Sequence, residues 1–122
     1  VNTDWSIIAS TEIDIINCDV YLFTRSIAIY PNEINDFLKR GGFLAWGIVP
    51  TSEAIRKEST DSLSNKMAND MNQLIAANAF SKDMLLKQCL ITPSCGTGSM
   101  QEADARAVFK ILKEMGKRLK EA

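Results

Sequence analysis

The stretch "GFLAWGIVP", residues 42–50, decides the fold. All of its residues are apolar, glycine or proline, and none carries a charge. An unbroken apolar run of this length is typical of a strand buried on both faces, as in a parallel sheet. The run breaks at Pro50-Thr51-Ser52, where a polar segment begins. We therefore predict a fully buried strand over residues 42–50.

Two further apolar runs lie on either side of this strand along the chain. "IDIINCDV", residues 13–20, is rich in β-branched residues and ends in polar ones, and "CLITP" covers residues 89–93. Segments of helical periodicity alternate with the three runs, which is the order expected of repeated βα units. The sequence predicts an α/β fold with parallel strands, in one domain over residues 1–122.

Helical patterns fill the segments between the strands. One helix should begin near Pro31 and stop at Gly41, and a longer one should begin near Thr60 or Asp61. The short segment "SKDMLLKQ" predicts a helix capped by Ser81, and "TSEAIRKESTDS" predicts a loop with one helical turn. The apolar face of the longer helix is predicted to comprise Leu63, Met67, Met71, Leu74, Ile75 and Asn78.

The final segment predicts a long amphipathic helix. Ser99 and Glu102 have the spacing of a capping box, which places the start of the helix at this point. The apolar positions that follow are Val108, Leu112, Met115 and Leu119. Four lysines occupy the other side and are expected to form a solvated face: Lys110, Lys113, Lys117 and Lys120.

The composition excludes several classes of function. The chain has 122 residues, 46% hydrophobic content, 24% charged residues and a net charge of −1, so nucleic acid and membrane partners are not expected. The three cysteines form no C-x-x-C pair and no signal-like segment opens the sequence, which favours a reducing cytoplasm. Because the sequence has no histidine, Ser-His and Cys-His nucleophile pairs are excluded.

Polar and special residues gather where each predicted strand ends, in "NCDVY" (17–21), "WGIVPTS" (46–52) and "TPSCGTGS" (92–99). In parallel α/β sheets ligands bind at this end, so we expect functional residues there. Each candidate also has a structural interpretation: Cys95 as an inert small residue, Asp19 as a helix cap, and Trp46 as core. Gly96-Thr97-Gly98 could bind an anion on its amides or serve only the turn. Cys18 and Cys89 are expected to be buried thiols.

The length of the chain bounds the architecture. A complete eight-stranded α/β barrel needs about 250 residues, and this sequence supplies about three to four βα units. The fold is therefore either a small open α/β domain or a half or partial TIM (β/α)8 barrel. A half-barrel exposes strand edges and one apolar face, so we expect it to self-associate or to pair with a missing half.

Three strings carry a family resemblance: "NTDWS" (2–6), "GGFLAWGIVPT" (41–51) and "ITPSCGTGSM" (91–100). Together they resemble the C-terminal part of the barrel in the cobalamin-independent methionine synthase-like and uroporphyrinogen decarboxylase-like superfamily. The resemblance runs through nearly the whole chain, which covers only the last part of a family barrel.

The resemblance implies a zinc-dependent methyl transfer from a folate or a methylated corrinoid to a thiol substrate. In this family zinc ligands include a His-x-Cys pair, an acidic residue in some members, and a cysteine in a Pro-x-Cys-Gly string. Cys95 matches that last position, and Asp19 lies near the place of the acidic ligand, where methionine synthase has glutamate. Residues implied to surround the substrate pocket are Asn17, Trp46, Ser94 and Gly96.

One departure from the family pattern limits these expectations. The sequence has no His-x-Cys pair, which in the family pattern lies just before Val1. With Cys95 and Asp19 alone, the chain lacks the three or four ligands of a stable zinc site, so we predict poor zinc binding and no catalysis by these residues alone.

Two alternatives remain. A decarboxylase-like relative acting on a tetrapyrrole requires basic residues near the pocket, for which only Arg25 and Arg56 lie on suitable loops. The other is a non-catalytic half-barrel that self-associates.

Overall fold

The computed structural model describes residues 4, 7–8, 10–23, 25–76 and 80–121, with only the backbone for residues 23, 25 and 26. Three strands form one sheet: β1 (Ile15–Asp19), β2 (Phe43–Val49) and β3 (Cys89–Pro93). The helices are α1 (Val20–Phe23), α2 (Arg25–Ala28), α3 (Pro31–Lys39), α4 (Thr60–Ala76), α5 (Lys82–Lys87) and α6 (Glu102–Lys120), with a 3₁₀ helix at Glu53–Lys57.

The sheet has the order β1-β2-β3, and both neighbouring pairs are parallel. The predicted α/β class with parallel strands is therefore confirmed at the level of an open three-stranded sheet. Strand β2 lies at the centre, and six of its seven residues are buried. The buried strand predicted over residues 42–50 is observed at Phe43–Val49, and β1 and β3 pair along its two edges.

The register divides the side chains of the sheet between two faces. One face packs beneath the helices, and we call it the core face: Ile16, Cys18, Leu44, Trp46, Cys89 and Ile91. We call the opposite face the open face: Ile15, Asn17, Phe43, Ala45, Leu90 and Thr92. On the open face Ile15 is 52% exposed and Leu90 is 40% exposed, so part of its apolar surface meets solvent.

Most helix boundaries agree with the sequence patterns. Pro31 opens α3, and Gly41 follows its end with a φ of 95°, a conformation that glycine adopts without strain. Helix α4 begins at Thr60, and the Ser81 side chain caps α5 by accepting from the Met84 amide at 3.2 Å. Of the predicted α4 face, Leu63, Met67, Met71 and Leu74 are buried, Ile75 is half-buried, and Asn78 lies outside the described residues.

The predicted capping box at the start of α6 is wrong. The helix begins at Glu102, and its N-cap is Gln101, which makes no side-chain capping hydrogen bond. Ser99 lies in a preceding turn closed by the bond from the Met100 amide to the Thr97 carbonyl at 3.1 Å. The Glu102 carboxylate pairs with Arg106 one turn later at 2.7 Å instead of reaching back. The Glu102 carboxylate therefore pairs with Arg106 within the helix and does not complete a capping box with Ser99.

The Gln88 side chain holds together the amino end of the sheet. The Gln88 amide donates to the Leu38 carbonyl at 2.7 Å and to the Gly42 carbonyl at 2.6 Å. These bonds join the end of α3 and the approach to β2 to the residue just before β3. The Leu38 carbonyl also accepts from the Gly41 amide at 3.0 Å, so Gln88 adds a second bond at the end of the helix.

Within the described residues, no helix combines the length and the apolar character that crossing a bilayer requires.

Candidate functional site at the carboxyl edge of the sheet

The loops after β2 and β3 are joined by hydrogen bonds at the carboxyl edge. The Ser94 amide donates to the Val49 carbonyl at 2.8 Å, and the Thr51 amide donates to the Ser94 hydroxyl at 3.3 Å. The Ser94 and Thr51 hydroxyl oxygens are also 3.3 Å apart. Ser94 thus fixes the loop on which the next residue, Cys95, is exposed.

Gly47 permits the three strand ends to approach one another. A Cβ atom at this position would lie 2.6 Å from the Cys18 carbonyl oxygen and 3.1 Å from the Pro93 carbonyl oxygen. Both are backbone atoms, which cannot yield as a flexible side chain can. The absence of a side chain at Gly47 is therefore a condition for the close packing of this edge.

Asn17 and Thr92 meet across the central strand. The Thr92 hydroxyl donates to the Asn17 side-chain oxygen at 2.9 Å, although β2 separates their strands. In the register Ala45 is the β2 partner of Asn17, and Gly47 is the β2 partner of Thr92. These small residues leave room for the bridge. Asn17 was predicted from the family resemblance, whereas nothing in the sequence pattern pointed to Thr92 as its partner.

Asp19 serves as a helix cap. Its Oδ1 atom accepts from the Tyr21 amide at 2.9 Å and from the Leu22 amide at 3.3 Å, which satisfies two free donors at the start of α1. This is the structural interpretation that the sequence left open. The proposed role of Asp19 as a metal ligand stays a prediction, with one of its two oxygens engaged in the cap.

The three cysteines have different environments. Burial raises the pKa of the Cys18 thiol to about 12, with a smaller contribution from the Asp19 carboxylate, and burial raises the pKa of the Cys89 thiol to about 11. Both thiols therefore stay protonated near neutral pH and are poor nucleophiles and ligands. Cys95 is exposed, and it is the cysteine best placed for chemistry.

Trp46 lies in the core face and is 0% exposed. Its indole nitrogen Nε1 is buried without a hydrogen-bond partner among the described residues. This placement agrees with the core interpretation of Trp46 and keeps the ring away from the open face. Gly96 is exposed, and an added Cβ would meet nothing within 4 Å, so close packing does not account for a glycine there.

Tyr21 and Glu58 link the segments that follow β1 and β2. The Tyr21 hydroxyl donates to Glu58 at 3.0 Å, and the same carboxylate accepts from the Ser62 hydroxyl. Burial, together with the hydrogen bond and the negative charge of Glu58, raises the pKa of the Tyr21 hydroxyl. Sequence spacing could not reveal this contact, because 37 residues separate the two partners.

A polar cleft of about 270 Å³ lies beside this edge, between the loop after β2 and the start of α6. Arg56 donates from Nη2 and Nε to the Asp104 carboxylate, at 2.8 Å and 3.1 Å. These bonds hold the pKa of Asp104 below its usual range.

Because the Arg56 guanidinium is engaged by Asp104, it is poorly available to bind a substrate carboxylate. The side chain of Arg25 lies outside the described residues. The cleft is lined by Thr51, Ser52, Glu53, Arg56, Ser99, Met100, Gln101 and Asp104.

The described residues contain no group of three or more histidine, cysteine, aspartate or glutamate side chains that could hold a metal ion. Cys95 and Asp19 by themselves are too few for zinc, which takes four ligands in structural sites and three protein ligands in catalytic ones. The residues present therefore do not form a complete zinc site. No protein-family model, curated protein or solved structure matches this chain, so the assignment of its function depends on the geometry of this edge.

Proposed function

We propose that this chain is the C-terminal portion of a methionine synthase-like, zinc-dependent methyltransferase barrel, which transfers a methyl group from a folate or a corrinoid to a thiol. The observation that carries the proposal is the position of Cys95. It is the exposed thiol on the loop that follows β3, and Ser94 fixes that loop to the end of β2. In the family pattern the corresponding cysteine is one zinc ligand.

The strand order supports a barrel origin. Consecutive parallel strands that are also neighbours in the sheet, in the order β1-β2-β3, occur in a (β/α)8 barrel. The same order occurs within one half of a doubly wound sheet, so the barrel proposal depends on the open face as well. The open face adds support, because parallel sheets are normally covered on both faces and Ile15 and Leu90 are exposed here.

The role of this chain is to supply one part of a shared site. Ser94 and the tight packing at Gly47 position Cys95, and the high pKa values of Cys18 and Cys89 keep those thiols from competing for metal. The other ligands must come from a further part of the protein. The 122 residues alone are expected to bind zinc weakly and to transfer no methyl group.

Zinc analysis tests the proposal directly. We expect substoichiometric zinc in the 122-residue chain and stoichiometric zinc in a longer protein that includes the remaining barrel. In that longer protein Cys95→Ser should weaken zinc binding by about tenfold or more, because each lost ligand or supporting contact costs at least that much. Cys89→Ala is the matched control, since Cys89 is a buried core thiol. Full zinc affinity in the Cys95→Ser protein contradicts the proposal.

A non-catalytic half-barrel that self-associates is the second candidate. The observation that favours it is the exposure of Ile15 and Leu90 on the open face, together with the unpaired outer edges of β1 and β3 in the described sheet. Sedimentation of the chain over a range of concentrations checks it. A monomer at all concentrations that binds no dye specific for apolar surface rules out this candidate.

A further inference from the structure

The helices do not close completely over the core face at Ile91. Its register neighbour Trp46 is 0% exposed, whereas Ile91 is half-buried. A cavity of about 180 Å³ lies over this part of β3, between α4 and α6. Four elements of the chain supply its apolar walls: Met67 and Met71 from α4, Leu86 from α5, Ile91 from β3, and Met115 and Leu119 from α6.

The position of the cavity separates it from the surfaces that a larger barrel would cover. A barrel supplies partners for the open face and for the free strand edges, whereas the cavity lies within the helical layer of the core face. Its two helical walls are also joined to each other. The Thr60 hydroxyl donates to Glu114, and Arg118 pairs with Asp61 at 2.7 Å. These contacts hold α4 and α6 together beside the cavity.

Thioether side chains dominate the cavity walls. Three of the five methionines of the chain, Met67, Met71 and Met115, line this one cavity, and all three are buried. Methionine is unbranched and adapts to the shape of what it contacts, and its sulfur makes favourable contacts with aromatic rings. The walls therefore favour an aromatic ligand over an aliphatic one.

The mouth of the cavity carries its polar groups, and these are already paired. Ser64, Ala68 and Arg118 line this side, where Ala68 and Arg118 are exposed. The Arg118 guanidinium pairs with Asp61 and donates from Nη1 to the Ser64 hydroxyl at 3.4 Å. A charged ligand would lose its hydration in the cavity without gaining a free partner, which is unfavourable. The lining therefore favours an uncharged ligand.

The volume of the cavity limits the size of the ligand. An apolar cavity of about 150 Å³ is sufficient to bind benzene. A cavity of about 180 Å³ therefore accommodates one aromatic ring with a short substituent. A folate or a corrinoid is far larger, so this cavity is distinct from the methyl-donor site of the proposed function.

We infer that the cavity between α4 and α6 binds a small, uncharged aromatic molecule with a single ring. The thioethers of Met67, Met71 and Met115 contact the ring, and Ile91 forms the floor beneath it. The inference does not depend on the proposed methyl transfer, because every wall of this site belongs to the 122-residue chain.

Titration with toluene tests the inference by NMR on the 122-residue chain labelled with ¹³C at its methionine methyl groups. We expect the signals of Met67, Met71 and Met115 to shift along one saturating curve, because the bound ring lies against these methyl groups. Met84 and Met100 are internal controls, since neither is among the residues that line the cavity. Absence of a shift, or equal shifts of all five signals without saturation, overturns the inference.

Two further probes test the class of ligand. Benzoate should bind at least about tenfold more weakly than toluene, because its charge has no free partner in the cavity. Methylcyclohexane should bind about threefold more weakly, because it lacks the contact between sulfur and an aromatic ring. The double variant Met67→Leu/Met71→Leu largely conserves volume and should reduce the difference between toluene and methylcyclohexane. Benzoate binding as tight as that of toluene, or an unchanged difference in the leucine variant, overturns the assignment to an uncharged aromatic ligand.

A variant at the mouth tests the location of the site. Ala68→Leu should weaken toluene binding by about tenfold, because the larger side chain occupies the entrance. Ala68 is exposed on α4, so the variant should remain folded, which circular dichroism checks. Ala76→Leu is the matched control, since Ala76 is exposed on the same helix and is not among the lining residues. Unchanged toluene affinity in the Ala68→Leu chain, or an equal loss in the control, overturns the inference.

Discussion

The two faces of the sheet are built from the same three strands, yet they differ in what covers them. On the core face, Trp46 lies between Cys18 and Ile91 in the register and is fully buried. On the open face, Ala45 lies between Asn17 and Leu90, both of which are exposed. The core face is completed by helices of this chain, whereas on the open face the edge-strand residues Ile15 and Leu90 are 52% and 40% exposed and the central Ala45 is buried. The fold is therefore stabilised mainly through its core face, and the exposed side chains of the open face can meet a partner or a ligand.

The largest effect should come from emptying the core face. Trp46→Ala should lower the free energy of unfolding by about 3–5 kcal/mol, because it leaves a large cavity. Trp46→Phe should cost less than about 2 kcal/mol, since the lost indole N–H has no hydrogen-bond partner among the described residues. Urea unfolding measures the free energy of unfolding of both Trp46 variants, with Asn17→Ala as the comparison on the open face. Similar losses for Trp46→Ala and Asn17→Ala would remove the distinction between the faces.

The next effect should come from Gly47, where the strand ends meet. Gly47→Ala should destabilise the fold by about 1–3 kcal/mol, because its Cβ would lie 2.6 Å from the Cys18 carbonyl oxygen and the backbone must move. Gly96→Ala is the matched control, because an added Cβ there has free space. Urea unfolding of the two variants provides the measurement. A Gly96→Ala loss as large as that of Gly47→Ala would contradict the close packing of this edge.

Alkaline pH should lower the free energy of unfolding because the two buried thiols of the core face, Cys18 and Cys89, ionise more readily in the unfolded chain. Their folded pKa values are raised by burial from the ordinary 9.0 to about 12 for Cys18 and about 11 for Cys89. The unfolded chain therefore loses these protons first, so the thiol contribution is complete below pH 9 and declines as the pH rises toward the folded values. Near pH 10 the loss should be about 1 kcal/mol for each thiol.

Urea unfolding at several pH values checks this slope. The double variant Cys18→Ala/Cys89→Ala should show a smaller decline above pH 9, whereas Cys95→Ser should keep the original slope, because Cys95 is exposed. An unchanged slope in the double variant would show that other groups cause the alkaline loss.

The smallest effect belongs to the polar bridge on the open face. A double-mutant cycle with Asn17→Ala and Thr92→Val should give a coupling energy of about 0.5 kcal/mol, because the 2.9 Å bond lies between exposed side chains. A coupling energy of about 2 kcal/mol or more would indicate that this face is covered in solution, because a hydrogen bond shielded from water contributes more to stability.

The observed strand and helix boundaries show which features the local sequence pattern predicted correctly. Strand β3 has the predicted bounds, β2 differs by one residue at each end, and β1 is shorter than residues 13–20 because Ile13 and Asp14 precede the first paired residue. The capping box failed because the helix begins at Glu102 with Gln101 as its N-cap, which leaves Ser99 two residues upstream of the capping position. Among the site residues, Asn17, Asp19, Ser94, Cys95 and Gly96 lie on or next to the carboxyl ends of the strands as expected, whereas Trp46 lies in the core.

The sequence by itself determined the class of the fold and the end of the sheet at which polar residues gather. Apolar runs and helical spacing are local properties of the chain, and they were sufficient to predict parallel strands joined by helices. Only the tertiary structure decided the partners across the sheet: Thr92 for Asn17, Thr51 for Ser94 and Asp104 for Arg56. These contacts join residues 75, 43 and 48 positions apart, and such pairs depend on strand order and register, which no local pattern encodes.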